Sequence, residues 1–502
     1  MRRFRILLLV LALLLLAGCG NTGDVSSSSG SQSSSSDSSS SQEEPVKNTQ
    51  PFTLAAYPAY SFHPALSTSQ ANLTLAPLMY ESLFTLDSHF EATPQLCQSY
   101  TVSDDGLTWT FQIRPGITFS DGTPLTGEIV AQALQTARDP ASRYAKRLAN
   151  VSGVSGSGEQ VTVTLTTPNG ALPTLLDIPI ALDSSNRPLG TGPYVLVEEG
   201  GKLYLNLRGD WWQGSSNLSL QQIPLATMTQ KEQVATAFNS GEVTLIDADI
   251  TGSNDLGYSG SYEVWEYNTT GMIYLGFQTA HGVCQDPQVR QAIARAIDRS
   301  AVTDSIYARH ATASTLPVHP DSAFYDEETA KVLDYDLSAL KSAGLEGKSL
   351  TLLVNIEDMA KSAAANRIAQ DLETAGLRVT VERLAWEDYV KALERGQFDL
   401  YLAEVYLTAD FDLTALVSPQ GELNYGGWND AAVPTLLENA RKAQGEQRVT
   451  AMAALLNYLN QNAPIAPICF QDGTVLTQYD RVENLSPVQG NVFANLSQWT
   501  VK

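Results

Sequence analysis

The chain has 502 residues, with 31 Lys and Arg against 54 Asp and Glu, for a formal net charge of −23 at pH 7. That balance builds no basic stripe, which argues against nucleic acid as a partner and against adsorption of the body to an anionic membrane. The length exceeds what one small core organises and points to two or three domains.

In chain order, Arg2, Arg3 and Arg5 precede an apolar run over 6–17, which is short for a bilayer span. A basic start, a short apolar segment and small residues before a cysteine predict a secretory signal over 1–18. The ending Leu16-Ala17-Gly18-Cys19 resembles a bacterial lipobox, in which the cysteine is acylated and becomes the mature N-terminus. The resemblance implies an extracytoplasmic protein held at the bacterial cell membrane through a lipid on Cys19. Segment 19–49 is mostly serine over 22–42 and has almost no apolar side chain to offset the entropy of ordering. It reads as a flexible leash with an r.m.s. reach of roughly 30 Å.

Strand and helix signals then alternate, as in an α/β architecture. Residues 107–113 and 161–165 alternate apolar and polar side chains, and 127–137 has helical spacing. Asp286-Pro287 predicts an N-cap with proline at the first helical position. A strand over 350–354, a helix over 363–375, a strand over 377–384, a helix over 386–395 and a strand over 398–405 form a β-α-β-α-β run. Such a run predicts a sheet with crossover helices.

Chemistry-bearing motifs are sparse. There is no HExxH and no GxSxG. Gly190-Thr191-Gly192 lacks the third glycine of a dinucleotide loop, because Val195 stands there. Asp247-Ala248-Asp249 opens like a calcium loop, but the twelfth position is Tyr258 rather than glutamate. No cofactor and no metal site is predicted, and a hydrolase reading finds no nucleophile. His310 and His319 would hold a metal complex only if the fold brought them together. Cys97, Cys284 and Cys469 leave two possibilities open, a Cys284–Cys469 disulfide with one thiol or three buried thiols.

Five blocks carry a resemblance: 78–84 with Pro94-Gln95-Leu96; 102–125, containing Gly106-Leu107-Thr108-Trp109; Gly190-Thr191-Gly192-Pro193-Tyr194; 274–277 leading into 286–299; and Asn424-Tyr425-Gly426-Gly427-Trp428-Asn429. In order and spacing they are similar to the extracellular solute-binding proteins that serve peptide and nickel ABC importers. The resemblance implies an α/β, two-lobed periplasmic-binding-protein-like fold with an extra subdomain and a hinged cleft. Lobe I would combine 50–76, 175–274 and 469–502, the inserted subdomain would be 77–174, and lobe II would be 275–468. It also implies a non-enzymatic monomer that captures a solute by cleft closure and delivers it to permease and ATPase subunits. An oligopeptide is the leading solute; a nickel chelate, an oligosaccharide or a signalling peptide would fit the same fold.

The family's ammonium-binding aspartate aligns with Asp410, although Leu407 replaces the family's tryptophan and the following proline is missing. A carboxylate there would hold a peptide ammonium by a charge-assisted hydrogen bond. Tyr57, Tyr60 and His63, after the first strand, and Asn424 and Trp428, in the last block, are further candidates for the cleft wall. Trp211-Trp212 matches a family motif expected to pack structurally.

Overall fold

The computed structural model describes residues 50–252 and 256–502; the acylation candidate Cys19 and the serine-rich segment lie outside them. The alternating run near Trp109 forms strand Thr108–Ile113, with Trp109, Phe111 and Ile113 turned into a core. It belongs to an antiparallel four-stranded sheet ordered Cys97–Val102, Thr108–Ile113, Gln160–Leu165, Val151–Ser157. Helix Gly127–Ala137 packs on this sheet, capped by Thr126, whose hydroxyl accepts from the Ile129 amide. The core continues through Leu172 to Ile178 and Ile180, while Leu78, Met79 and Tyr80 pack into the neighbouring core with Leu54 and Tyr194.

That neighbouring core supports two sheets. One is ordered Leu54–Ala56, Gln222–Thr227, Lys202–Leu207, Tyr194–Glu199, its first pair parallel and the others antiparallel. The other has three strands, with Gly473–Gln478 lying between Leu245–Ala248 and Tyr262–Tyr267. Its middle strand therefore comes from the far end of the chain.

A six-stranded sheet organises the rest, in the order Ala311–Ala313, Ile465–Gln471, Gly271–Phe277, Leu400–Tyr406, Ser349–Asn355, Arg378–Leu384. Strands Gly271–Phe277 and Ile465–Gln471 are buried at every residue, as strands covered on both faces are. Leu275, Leu352, Ile368 and Cys469 lie in the core on one face; Tyr274, Leu353, Tyr401 and Phe470 lie in the core on the other. The β-α-β-α-β run is present, as Ser349–Asn355, Met359–Thr374, Arg378–Leu384, Trp386–Glu394 and Leu400–Tyr406, with the three strands parallel. The first of these helices begins earlier than its apolar spacing predicts, because Asp358 caps it by accepting from the Lys361 amide at 2.8 Å. Asp286 caps Pro287–Arg295 with proline in the first turn, as expected.

Two segments pass between the six-stranded and three-stranded sheets. One is 268–270, between Tyr262–Tyr267 and Gly271–Phe277; the other is Asp472, between Ile465–Gln471 and Gly473–Gln478. Both lie a few residues from the boundaries drawn at 274/275 and 468/469. The Thr269 hydroxyl donates to the Gln471 carbonyl, which ties the crossings together. Cys97, Cys284 and Cys469 are free, buried thiols, so the Cys284–Cys469 disulfide does not form.

Candidate ligand cleft at the hinge

In sheets with parallel strands, ligands settle outside the carboxyl ends of the strands. Here that end carries an unusual load of exposed apolar surface: Ile356 (51%), Met359 (83%), Trp386 (55%) and Tyr406 (64%). Ile356 follows Ser349–Asn355, Met359 and Trp386 open the two crossover helices, and Tyr406 ends Leu400–Tyr406. Local polar contacts set part of this shelf. The Glu357 carboxylate accepts from the Asn355 side chain at 2.9 Å and from the Trp386 amide at 2.8 Å.

A buried charge group lies beside the shelf. Lys361 Nζ is 3.5 Å from Glu404 Oε2 and 4.0 Å from Asp358 Oδ2. Burial raises the Glu404 carboxyl, and Lys361 opposes that shift. On the three-stranded sheet, Asp247 accepts from the Tyr267 hydroxyl at 2.9 Å and from Gln70 at 3.4 Å, and burial raises its carboxyl too. Tyr406 meets charges from both sheets. Its hydroxyl is held above the usual range by burial, then by Glu404, Asp249, Asp247 and Asp358, although the ring is largely open to solvent. The floor requires glycine at Gly473, where a Cβ would lie 2.0 Å from the Tyr267 ring, and Gly271 sits beneath the Tyr406 ring in a similar way.

Two of the five sequence blocks and the Trp211-Trp212 motif meet around one carboxylate. Glu81 is buried and accepts from Thr191 Oγ1 at 2.8 Å, Trp212 Nε1 at 2.8 Å, Gln213 Nε2 at 3.1 Å and Trp211 Nε1 at 3.3 Å. Burial raises its carboxyl against these four donors. Gly190 closes the same junction, because a Cβ there would lie 2.0 Å from the Met79 carbonyl. The partial dinucleotide motif is thus a packing device. The model of the bacterial extracellular solute-binding proteins, family 5 (middle region), matches residues 91–423.

The chain belongs to this family.

The family 5 chain is 28% identical over 354 residues to the glutathione-binding protein GsiB of Escherichia coli K12, a match covering 63% of this chain and 66% of GsiB. The chain thus spans just under two thirds of the length of these curated relatives. Its structure superposes on HbpA2 of Haemophilus parasuis with a TM-score of 0.74 at 19% identity, covering 90% of this chain and 99% of the other. The unliganded open form of the murein tripeptide binding protein MppA gives 0.70 at 20% identity, over 85% and 92% of the two chains. The oligopeptide-binding protein AppA of Bacillus subtilis, in complex with a nonapeptide, gives 0.61 at 17% identity, over 90% and 99%. These likenesses show the fold, a mixed α/β chain in two lobes, and the family is one of binding proteins rather than catalysts.

The candidates named from the sequence fall in different surroundings in this family 5 protein. Tyr60 is exposed, its ring edge-on to Tyr57 at 6.1 Å. Tyr57 is buried and its hydroxyl donates to the Gln230 carbonyl at 2.9 Å. His63 is buried, its Nδ1 accepts from the Ala65 amide at 3.1 Å, and burial lowers its pKa. Asp410 is 2% exposed; its carboxylate accepts from Thr408 Oγ1 and from Asn169 Nδ2, the latter at 3.3 Å. Arg448 Nη2 donates to the Asp410 carbonyl at 2.7 Å. Asn424 spends its amide within its own loop, on the Ser418 carbonyl and on both backbone groups of Trp428. Trp428 is buried in the core behind the six-stranded sheet. Asn424 thereby stiffens its loop, and Trp428 fills the core behind it.

Sequence reasoning missed Ile356, Met359, Trp386, Glu404 and Tyr406. For Ile356, Met359, Trp386 and Tyr406 the available signal was a large apolar residue at a strand end or helix start, where loops of this fold class are otherwise polar. His310 pairs with Glu266, and the His319 ring lies between Phe90 and Phe470 at 5.3 Å from each, so each histidine has its own role. Among the described residues no His, Cys, Asp and Glu grouping suits a metal ion. A hollow of about 640 Å³ lies beside Lys442, Gln444 and Gln447, and none of the shelf residues lines it.

Proposed function

We propose that this family 5 protein is the solute-binding subunit of an ABC importer, tethered outside the cytoplasm through Cys19, and that it captures an oligopeptide between its lobes. The observation that carries the reading is the shelf of Ile356, Met359, Trp386 and Tyr406 at the strand ends beside the hinge crossings. Apolar side chains left in water at a hinge gain about 25 cal/mol per Å² when a solute covers them. Peptide side chains supply apolar area of that kind, and the peptide backbone supplies polar groups for the cleft walls. The names of two relatives agree with the reading: GsiB is a glutathione-binding protein, and AppA of Bacillus subtilis was solved with a nonapeptide.

Asp410 is the proposed seat of the solute's ammonium. Its 3.3 Å contact with the Asn169 amide is long, and an ammonium that replaces it converts a neutral donor to a charged one. Tyr60, with the Tyr57 ring behind it, is the proposed aromatic contact from the opposite lobe.

Thermal-shift screening tests this. Peptides of two to nine residues should raise the melting temperature, while glutathione and a nickel–histidine complex provide contrasting arms. A ligand at a hundred times its Kd stabilises the native state by about 2.7 kcal/mol. Stabilisation by the nickel complex alone would overturn the peptide reading. For a peptide that binds, Asp410→Ala should weaken affinity about tenfold or more by calorimetry; unchanged affinity would remove Asp410 from the site.

A further inference from the structure

The second crossing between the lobes consists of one residue, Asp472, and its surroundings are chemically distinctive. Glu266, on the three-stranded sheet, meets His310, which leads into the six-stranded sheet, with Oε1 2.6 Å from Nδ1. That contact bridges the two sheets beside the crossing. The Asp472 amide donates to the His310 carbonyl at 3.1 Å, which places the aspartate against the same histidine. One Asp472 carboxylate oxygen, Oδ1, is buried without a hydrogen-bond partner, and the Thr312 hydroxyl bonds to the carboxyl group. The charged and titratable groups facing Asp472 are Glu266 from the three-stranded sheet, His310 from the six-stranded side, Asp321 from the following loop and the Cys469 thiol from its own strand. Asp321 itself accepts from Asn268 in the first crossing at 2.8 Å. Two carboxylates therefore flank a third, with one imidazole beside them.

We infer that Asp472, Glu266 and His310 form a proton-operated brace across the hinge, closed while Asp472 is neutral and loosened once it ionises. Burial, then the charge of Glu266, raises the Asp472 carboxyl to about 7, with His310 and Thr312 opposing. A carboxyl raised in this way favours the assembled state at low pH, and that advantage is lost as pH rises toward the raised value and through it. A loosened hinge exposes Asp472 to water and returns it toward the ordinary carboxylate value, about 3.9. For one proton with a braced pKa of about 7, the braced-to-loosened ratio falls about tenfold between pH 6 and pH 8. A solute that needs the braced geometry changes affinity by no more than that factor over the same range. The brace concerns the unliganded chain, so it stands or falls separately from the peptide reading.

Hydrogen exchange of the full chain reads the brace directly. The amides of Thr270, Gly271 and Asp472 donate to Gln489 Oε1 at 2.8 Å, Thr269 Oγ1 at 3.0 Å and the His310 carbonyl at 3.1 Å. Their protection factors, corrected for intrinsic exchange, should fall about tenfold from pH 6 to pH 8, while the central amide of Leu275 stays constant. Asp472→Asn should hold protection within about twofold across that range. Glu266→Gln should show a smaller fall than wild type, because burial alone then raises Asp472. Constant wild-type protection, or a wild-type fall retained in Asp472→Asn, would overturn the brace.

Discussion

Glu81 illustrates what a single buried carboxylate does in this protein. Four donors from two stretches, Thr191 and the consecutive Trp211, Trp212 and Gln213, converge on it, and no cation balances it among its hydrogen-bond partners. Glu81→Gln would turn one acceptor into a donor facing other donors. That change should cost about 2–4 kcal/mol in urea denaturation. These residues were legible as family blocks, but their spacing could not show that they meet at one oxygen pair. Lys361 and Glu404 were illegible for another reason. Glu404 sits within Leu400–Tyr406, whose first residues are ordinary core, and only tertiary packing brings the Lys361 ammonium to it.

At the level of strands and helices, the hinge floor depends on two rings laid over two glycines. Gly473→Ala would drive a methyl into the Tyr267 ring and disturb the hydroxyl that holds Asp247. Overpacking of this kind costs about 1–3 kcal/mol. In a Tyr267→Ala background the same substitution should cost almost nothing, and a double-mutant cycle by chemical denaturation measures that coupling. Elements of this region were readable where local chemistry decides them. The β-α-β-α-β run follows from apolar periodicity, and Pro287–Arg295 follows from Asp286 and Pro287. Helix Met359–Thr374 was placed too short, because its first turn is polar or exposed and is set by the Asp358 cap instead of by apolar spacing. The cysteine pairing also lay beyond sequence reasoning, since two thiols in the same core need not point at each other.

On the scale of the whole molecule, two lobes joined by two short crossings can swing with few backbone angles changed. Addition of a bound peptide should therefore reduce the radius of gyration in solution scattering, and a profile that does not change on saturation would contradict cleft closure. The two-lobed fold was legible because its family blocks span most of the mature chain. The shelf of Ile356, Met359, Trp386 and Tyr406 was not, because only the sheet order brings these positions, far apart in sequence, to one end. The central position of Gly473–Gln478 in its sheet also has a consequence for biogenesis. A ribosome delivers that strand after both of its neighbours, so Leu245–Ala248 and Tyr262–Tyr267 wait with unpaired edges through the synthesis of some two hundred residues. Chains that stop short of Gly473 would keep those edges open, ready templates for aggregation rather than for a binding lobe.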